Sequence, residues 1–184
     1  MSMGRHPGRK DIVALRLVNL DEQTRQFMLD ELQRDIADGT LYVSHRLSDR
    51  GQKDWPHLLQ AAIEDGDDVS LADELRDEGR LNEFEPRRTG PARVPPTAPE
   101  TLAEGEFNRF YIRGLCRRVL GSDIKSLVIY RAKAAQTPRA ESQARVGKLV
   151  DAQMLLHDLR THQGVDTALG VPSGPNSGLS AALP

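Results

Sequence analysis

Three features of the 184-residue sequence predict an α+β fold, mainly helical with short strands. Apolar residues recur every three or four positions through several stretches, which is the period of a helix that buries one side. "SLVIYRAK" at 126–133 instead sets four apolar residues in a row, the pattern of a strand buried on both faces. Between such stretches lie clusters of glycine and proline that neither helix nor strand tolerates. Aromatic residues make up 4% of the chain, so its core must be small and built on Leu, Val, Ile and Ala.

Taken in order, residues 1–18 read as an N-terminal arm. Gly4, Pro7 and Gly8 suit a flexible start, and Ile12, Val13, Leu15, Leu17 and Val18 then offer a short strand or an extended docking segment. Residues 19–81 form an acidic helical region. Met28, Leu32 and Ile36 recur at fours beside Leu29, Asn19 or Asp21 can cap the start, and Gly39 ends the helix near Ala37 or Asp38. "TLYVSHRLS" follows as a short strand. "DWPHLLQAAIEDG" predicts a helix capped by Asp54 with Pro56 in its first turn, and "SLADELRDEG" a helix capped by Ser70 and stopped by Gly79.

Residues 82–99 hold five prolines and one glycine, which predicts a stiff linker without regular structure and the best domain boundary in the chain. A basic α/β region spans 100–164. It opens with a long helix from Glu100 to Leu120 closed by Gly121, continues through the strand "SLVIYRAK" and a loop with a short helix, and ends in a helix capped by Asp151. Met154, Leu155 and Leu159 make the apolar side of that last helix. Residues 165–184 predict an extended, irregular C-terminal tail, rich in glycine and proline.

The net charge of -2 conceals two unlike halves. Residues 1–85 carry 11 Lys/Arg against 19 Asp/Glu, and residues 86–184 carry 14 against 8, so the halves should attract each other or face different partners. Cys116 is the single cysteine and falls within a helical apolar pattern, so it is expected to act as a small buried hydrophobe. An internal disulfide or a cysteine-based zinc site is out of reach. The basic start has no apolar run behind it, unlike a secretory signal, and no window approaches the roughly 18 apolar residues of a membrane span. An intracellular protein without a membrane partner is the expectation.

Within "RFYIRGLCRRVL" at 109–120, Arg109, Arg113 and Arg117 lie one helical turn apart, with Arg118 beside the last. Residues 109–148 carry ten Lys/Arg against Asp123 and Glu141. Guanidinium forks bind carboxylates and phosphates in bidentate fashion, so the row predicts an outward partner-binding face of Arg109, Arg113, Arg117 and Arg118, extended by Arg131 and Lys133. The plainer reading pairs the same face with the acidic N-terminal half. DNA is a further candidate partner, but no nucleic-acid-binding motif accompanies the row and aromatics for stacking are scarce.

Catalytic and cofactor motifs do not emerge. His157 and His162 are five apart, which puts them on different helix faces, and the other histidines lie in separate elements, so no metal is expected. "EDGDD" at 64–68 lacks the spacing and closing glutamate of a calcium loop. Arg131 occupies the position where a nuclease would need an acid two residues before Lys133. No G-x-S-x-G is present, and "GPNSG" at 174–178 is too short for a phosphate loop. A non-enzymatic protein without cofactors is the expectation, since an arginine pocket for a phosphorylated ligand would still need a general base.

The phrases "AEGEFNRFYIRGLCRRVL", "VIYRAKAAQTPRAESQARVGK" and "GVDTALGVPSGPNSGLS" resemble small proteins encoded among the structural genes of tailed actinobacterial phages and prophages. The likeness covers mainly the last 85 residues or so and carries over no site residue. It implies a virion head or assembly component, placed in the virion and assembled in the host cytoplasm. Its implied partners are the major capsid protein or other virion proteins, and copies of itself. An arm, a stiff linker and a long tail would suit an accessory shell protein that wraps its neighbours. The alternative is a basic nucleic-acid-binding module acting in the cytoplasm.

Overall fold

The computed structural model describes residues 13–77, 79–135, 137–164, 167–172 and 177–184; the first part of the arm and parts of the tail lie outside them. Among the described residues, six helices and five short strands run in the order α1 Glu22–Ala37, α2 Asp49–Asp65, α3 Asp68–Leu75, β1 Phe84–Glu85, β2 Ala92–Arg93, α4 Ala98–Leu120, β3 Ser126–Arg131, α5 Ala140–Arg145, β4 Leu149–Asp151, α6 Ala152–Thr161 and β5 Leu179–Ala182. The architecture is α+β and mainly helical.

Local chemistry sets most boundaries. Asp21 caps α1 by accepting the Thr24 amide at 2.9 Å, and Gly39 follows the helix with a positive φ. Asp151 caps α6 through the Met154 amide. In α2, however, Ser48 is the cap rather than Asp54, so the helix begins a turn and a half earlier than its apolar pattern suggests. Pro56 therefore lies inside it, where it removes one helical hydrogen bond. Asp67 rather than Ser70 caps α3. The two form a reciprocal capping box, with Ser70 at the third helical position. "TLYVSHRLS" is irregular, touching a partner strand only at the Leu47–Leu81 bridge.

α4 is the axis of the molecule. One buried cluster draws Met28, Trp55, Leu59 and Leu71 from before the proline-rich stretch and Phe107, Tyr111, Leu127, Leu155 and Leu179 from after it. Residues 82–99 thus do not separate two cores. They lie beside the common one and contain the β1–β2 hairpin, because prolines at its flanks leave residues 84–85 and 92–93 free to pair. Gly114 lets α4 and α1 approach closely: a Cβ there would meet Met28 Cγ at 2.8 Å and the Thr24 carbonyl oxygen at 3.0 Å.

The second sheet is antiparallel in the order β4-β3-β5, with Leu127 opposite Val150 and Ile129 opposite Ala181. Leu127 and Ile129 are buried, while Val128 and Tyr130 are half-covered, so β3 alternates rather than burying both faces. The irregular tail is corrected here. Leu179, Ser180 and Ala181 are buried in β5, the sheet's second edge. Small residues let this strand lie against α4, where the Asn108 amide donates to the Leu179 carbonyl at 2.8 Å and Ser180 donates to Asn108 Oδ1 at 2.6 Å.

The described part of the arm, 13–18, is extended but forms no strand. Its Arg16 amide donates to the Ala132 carbonyl, and Tyr130 donates to the Arg16 carbonyl at 2.6 Å. The Leu15 amide reaches both carboxylate oxygens of Asp68 at 3.2 Å. Burial, reinforced by Glu104 and Asp67, raises the Asp68 pKa from the ordinary 3.8 to about 6. Because the folded state holds this proton more tightly than the unfolded chain, stability falls as pH rises from about 4 to 6 and levels off above. Asp68→Asn keeps an acceptor for Leu15 and is expected to stabilise the protein by about 1–3 kcal/mol at pH 7, a gain that vanishes below about pH 4. Urea unfolding of both proteins across that range checks it, and an unchanged difference at pH 3.5 would contradict it.

Candidate functional site

The arginine row does not face outward. Arg113 is 0% exposed and Arg109 6%, because α4 is covered on this side by α1 and α6. Arg113 Nη1 and Nη2 donate to the two Asp35 oxygens at 2.6 and 2.8 Å, and its Nε donates to Glu31 at 2.9 Å. Glu31, itself fully buried, also accepts from Arg117 at 3.1 Å and from both Nε and Nη2 of Arg160. Two acids four residues apart on α1 therefore meet arginines four apart on α4. The Phe110 ring lies 4.9 Å beneath the Arg113 guanidinium.

Burial alone would push the Glu31 carboxyl up, but Arg160 and Arg113 outweigh it and hold it below the ordinary range. Such clusters are stable when every charge is met, because the desolvation of each ion is offset by bidentate, charge-assisted hydrogen bonds. The attraction between the acidic and basic halves is thus spent inside the molecule.

The remaining residues of the expected partner face are also engaged. Arg118 donates to Asp21 at 2.7 Å and to the Thr24 hydroxyl. Arg131 donates to the Ser177 carbonyl at 2.6 Å and to Gln143, and Lys133 pairs with Glu104 at 2.6 Å. The outward row is corrected accordingly: the six cations bind the protein to itself, and Arg113 is inaccessible. Arg160, Glu31 and Asp35 went unremarked in the sequence. The readable signal was the four-residue spacing of Glu31 and Asp35 next to Met28 and Leu32, which puts them on the buried side of α1.

One turn toward the start of α4 the buried cluster opens into a cleft of about 280 Å³. Four chain segments converge on it: the turn 42–46, the first half of α4, residues 164 and 172, and residues 177–179. Glu106, Asn108 and Arg109 of α4 are each at least nine-tenths buried and line it, with Tyr42, Ser44 and His45 opposite. Arg109 Nη1 donates to the His162 carbonyl at 2.7 Å, and its Nε donates to Glu106 at 3.3 Å. Burial raises the pKa of Glu106 further than Arg109 lowers it. Arg46, which lines the cleft, joins Arg87 in holding the Glu85 carboxyl down to about 2. A concave site with a few converging polar groups is where a small ligand is best held.

No protein-family model, curated protein or solved structure matches the chain. Among the described residues, no group of three or more His, Cys, Asp or Glu side chains is placed to hold a metal ion. No described helix is long and apolar enough to cross a membrane. Cys116 is buried beside the ion cluster, and burial pushes its thiol pKa well up, which leaves it the inert hydrophobe its position suggests.

Proposed function

We propose that this chain is a non-enzymatic structural protein of a phage-like head, docking onto shell protein through the outer edge of its three-stranded sheet rather than through the arginine row. The setting rests on the resemblance of its second half to virion-associated proteins. The docking rests on one observation. Of the nine exposed large hydrophobic residues among those described, Ile124, Val146, Leu149 and Met154 lie on or beside β4 and the end of β3 that it pairs with. Leu149 is 66% exposed and Met154 60%, whereas Met154 was expected on the buried side of α6. An edge strand carrying apolar side chains is a template for another protein, and monomers rarely leave one uncovered.

Lys125 and Lys148 flank the patch together with Asp123 and Asp151, and all four are exposed. A partner surface with an apolar centre and a rim of mixed charge fits it. The nucleic-acid reading has less support, since a row of arginines tied to carboxylates leaves few cations to meet phosphates. Co-sedimentation with assembled particles from cells that make them tests the proposal. The wild-type chain should sediment with the particle, and a Leu149→Glu/Met154→Glu variant should stay in the supernatant with an unchanged melting temperature. A variant that sediments like wild type, or a wild-type chain that never does, would overturn it.

A further inference from the structure

We infer that the cleft at the start of α4 binds a small molecule bearing an amide edge, a primary carboxamide or a lactam, whose N–H donates to Glu106 and whose carbonyl accepts from Arg109. This inference is independent of the docking edge, which lies on other residues.

Two observations carry it. The first is an open pair of hydrogen-bonding groups. Arg109 uses Nε for Glu106 and Nη1 for the His162 carbonyl, and no hydrogen bond among the described residues occupies its Nη2. Glu106 accepts from Arg109 through one oxygen, and its second oxygen is likewise without a donor. Both side chains are at least nine-tenths buried and line the cleft. Neither atom is sealed from solvent, so both face the cleft as an accessible donor and an accessible acceptor, and a ligand that meets both replaces the water that would otherwise solvate them. The complement of an open donor beside an open acceptor is an acceptor beside a donor, the edge of an amide.

The second observation is Gly105. It sits inside α4, where glycine is the least favourable residue apart from proline. Gly114 in the same helix is required by the approach of α1, but a Cβ on Gly105 would find nothing within 4 Å. Packing therefore gives no reason for the missing side chain. Gly105 lines the cleft, and its absent Cβ keeps the helix backbone open to an occupant beside Glu106 and Arg109. The volume selects a ligand of one or two rings, because about 280 Å³ lies at the lower limit of sites for drug-sized molecules. Tyr42, which also lines the cleft, offers an aromatic surface for such a ring.

Isothermal titration of the full chain with nicotinamide, guanosine and N,N-dimethylnicotinamide tests the inference. Nicotinamide presents a primary carboxamide, guanosine a lactam, and the dimethyl compound lacks the N–H. Saturable binding of nicotinamide alone assigns a carboxamide ligand; binding that includes guanosine admits the lactam; the dimethyl compound should bind at least tenfold more weakly. Gly105→Leu should abolish binding while the melting temperature stays at or above that of wild type. Gly105→Ala should raise the melting temperature and weaken binding several-fold. The inference is overturned if neither probe binds, if the dimethyl compound binds as well as its parent, or if Gly105→Leu binds like wild type.

Discussion

Arg113→Met should lower folding stability by about 3–5 kcal/mol, the usual loss when one partner of a buried ion cluster is removed. The side chain is fully buried and makes three hydrogen bonds of 2.9 Å or less to Glu31 and Asp35. Methionine fills much of the same volume, so the loss comes from charge rather than from a cavity. Asp35 would suffer most, since its remaining side-chain partner is Gln163 at 3.4 Å. Glu31 keeps Arg117 and Arg160.

Two companions separate the electrostatic account from a packing one. Arg117→Ala, with a side chain 39% exposed, should cost less than about 1 kcal/mol, since a partly solvated pair contributes little. Adding Asp35→Leu to Arg113→Met removes the orphaned acid and should recover part of the loss. Urea denaturation reads all three, with an unchanged slope showing that the two-state transition is preserved. If the double variant is less stable than wild type by the sum of the two single losses, Arg113 and Asp35 are not coupled and the cluster is not what holds α1 against α4.

Sequence periodicity made the helices legible where one side of a helix is apolar and a capping residue stands at its start, as in α1 and α6. It misplaced the start of α2 because the first turn of that helix, Asp49 to Lys53, is polar, and the cap lies in front of it at Ser48. The arginine row was legible as a row, and its pairing with the acidic half was open to reading from the charge distribution. Its direction was not. Hydropathy treats a charged stripe as a solvated face, and only the convergence of Glu31, Asp35 and Arg160 from distant segments makes the inward choice favourable. The cleft was illegible for a related reason: its walls come from four segments joined by tertiary packing, and Gly105 looks like any helix-softening glycine until its empty surroundings are seen.

The tail offers the sharpest contrast between composition and structure, and ending the chain after Gly178 should unfold the protein or cost at least about 4 kcal/mol. Glycine and proline dominate the approach to this segment, yet "LSAA" at 179–182 is a strand whose first three residues are buried. Its removal withdraws Leu179 from the core, a loss of about 2–5 kcal/mol on the scale of large-to-small core changes. It also strips β3 of one ladder from Val128 to Arg131 and takes both partners of the buried Asn108 amide. Each orphaned group adds about 1–3 kcal/mol.

Leu179→Ala isolates the packing share and should cost about 2–5 kcal/mol with the fold intact. Ser180→Ala, which removes only the hydroxyl that meets Asn108, should cost about 1 kcal/mol. Circular dichroism and limited proteolysis of the truncated chain decide between a strand that completes the core and a tail that decorates it. A truncated protein with wild-type melting temperature would restore the reading of an extended, irregular tail. Rapid digestion throughout α4 would show instead that the last strand closes the sheet on which that helix rests, because β5 is the strand that pairs with β3 from Val128 to Arg131 and holds the Asn108 amide.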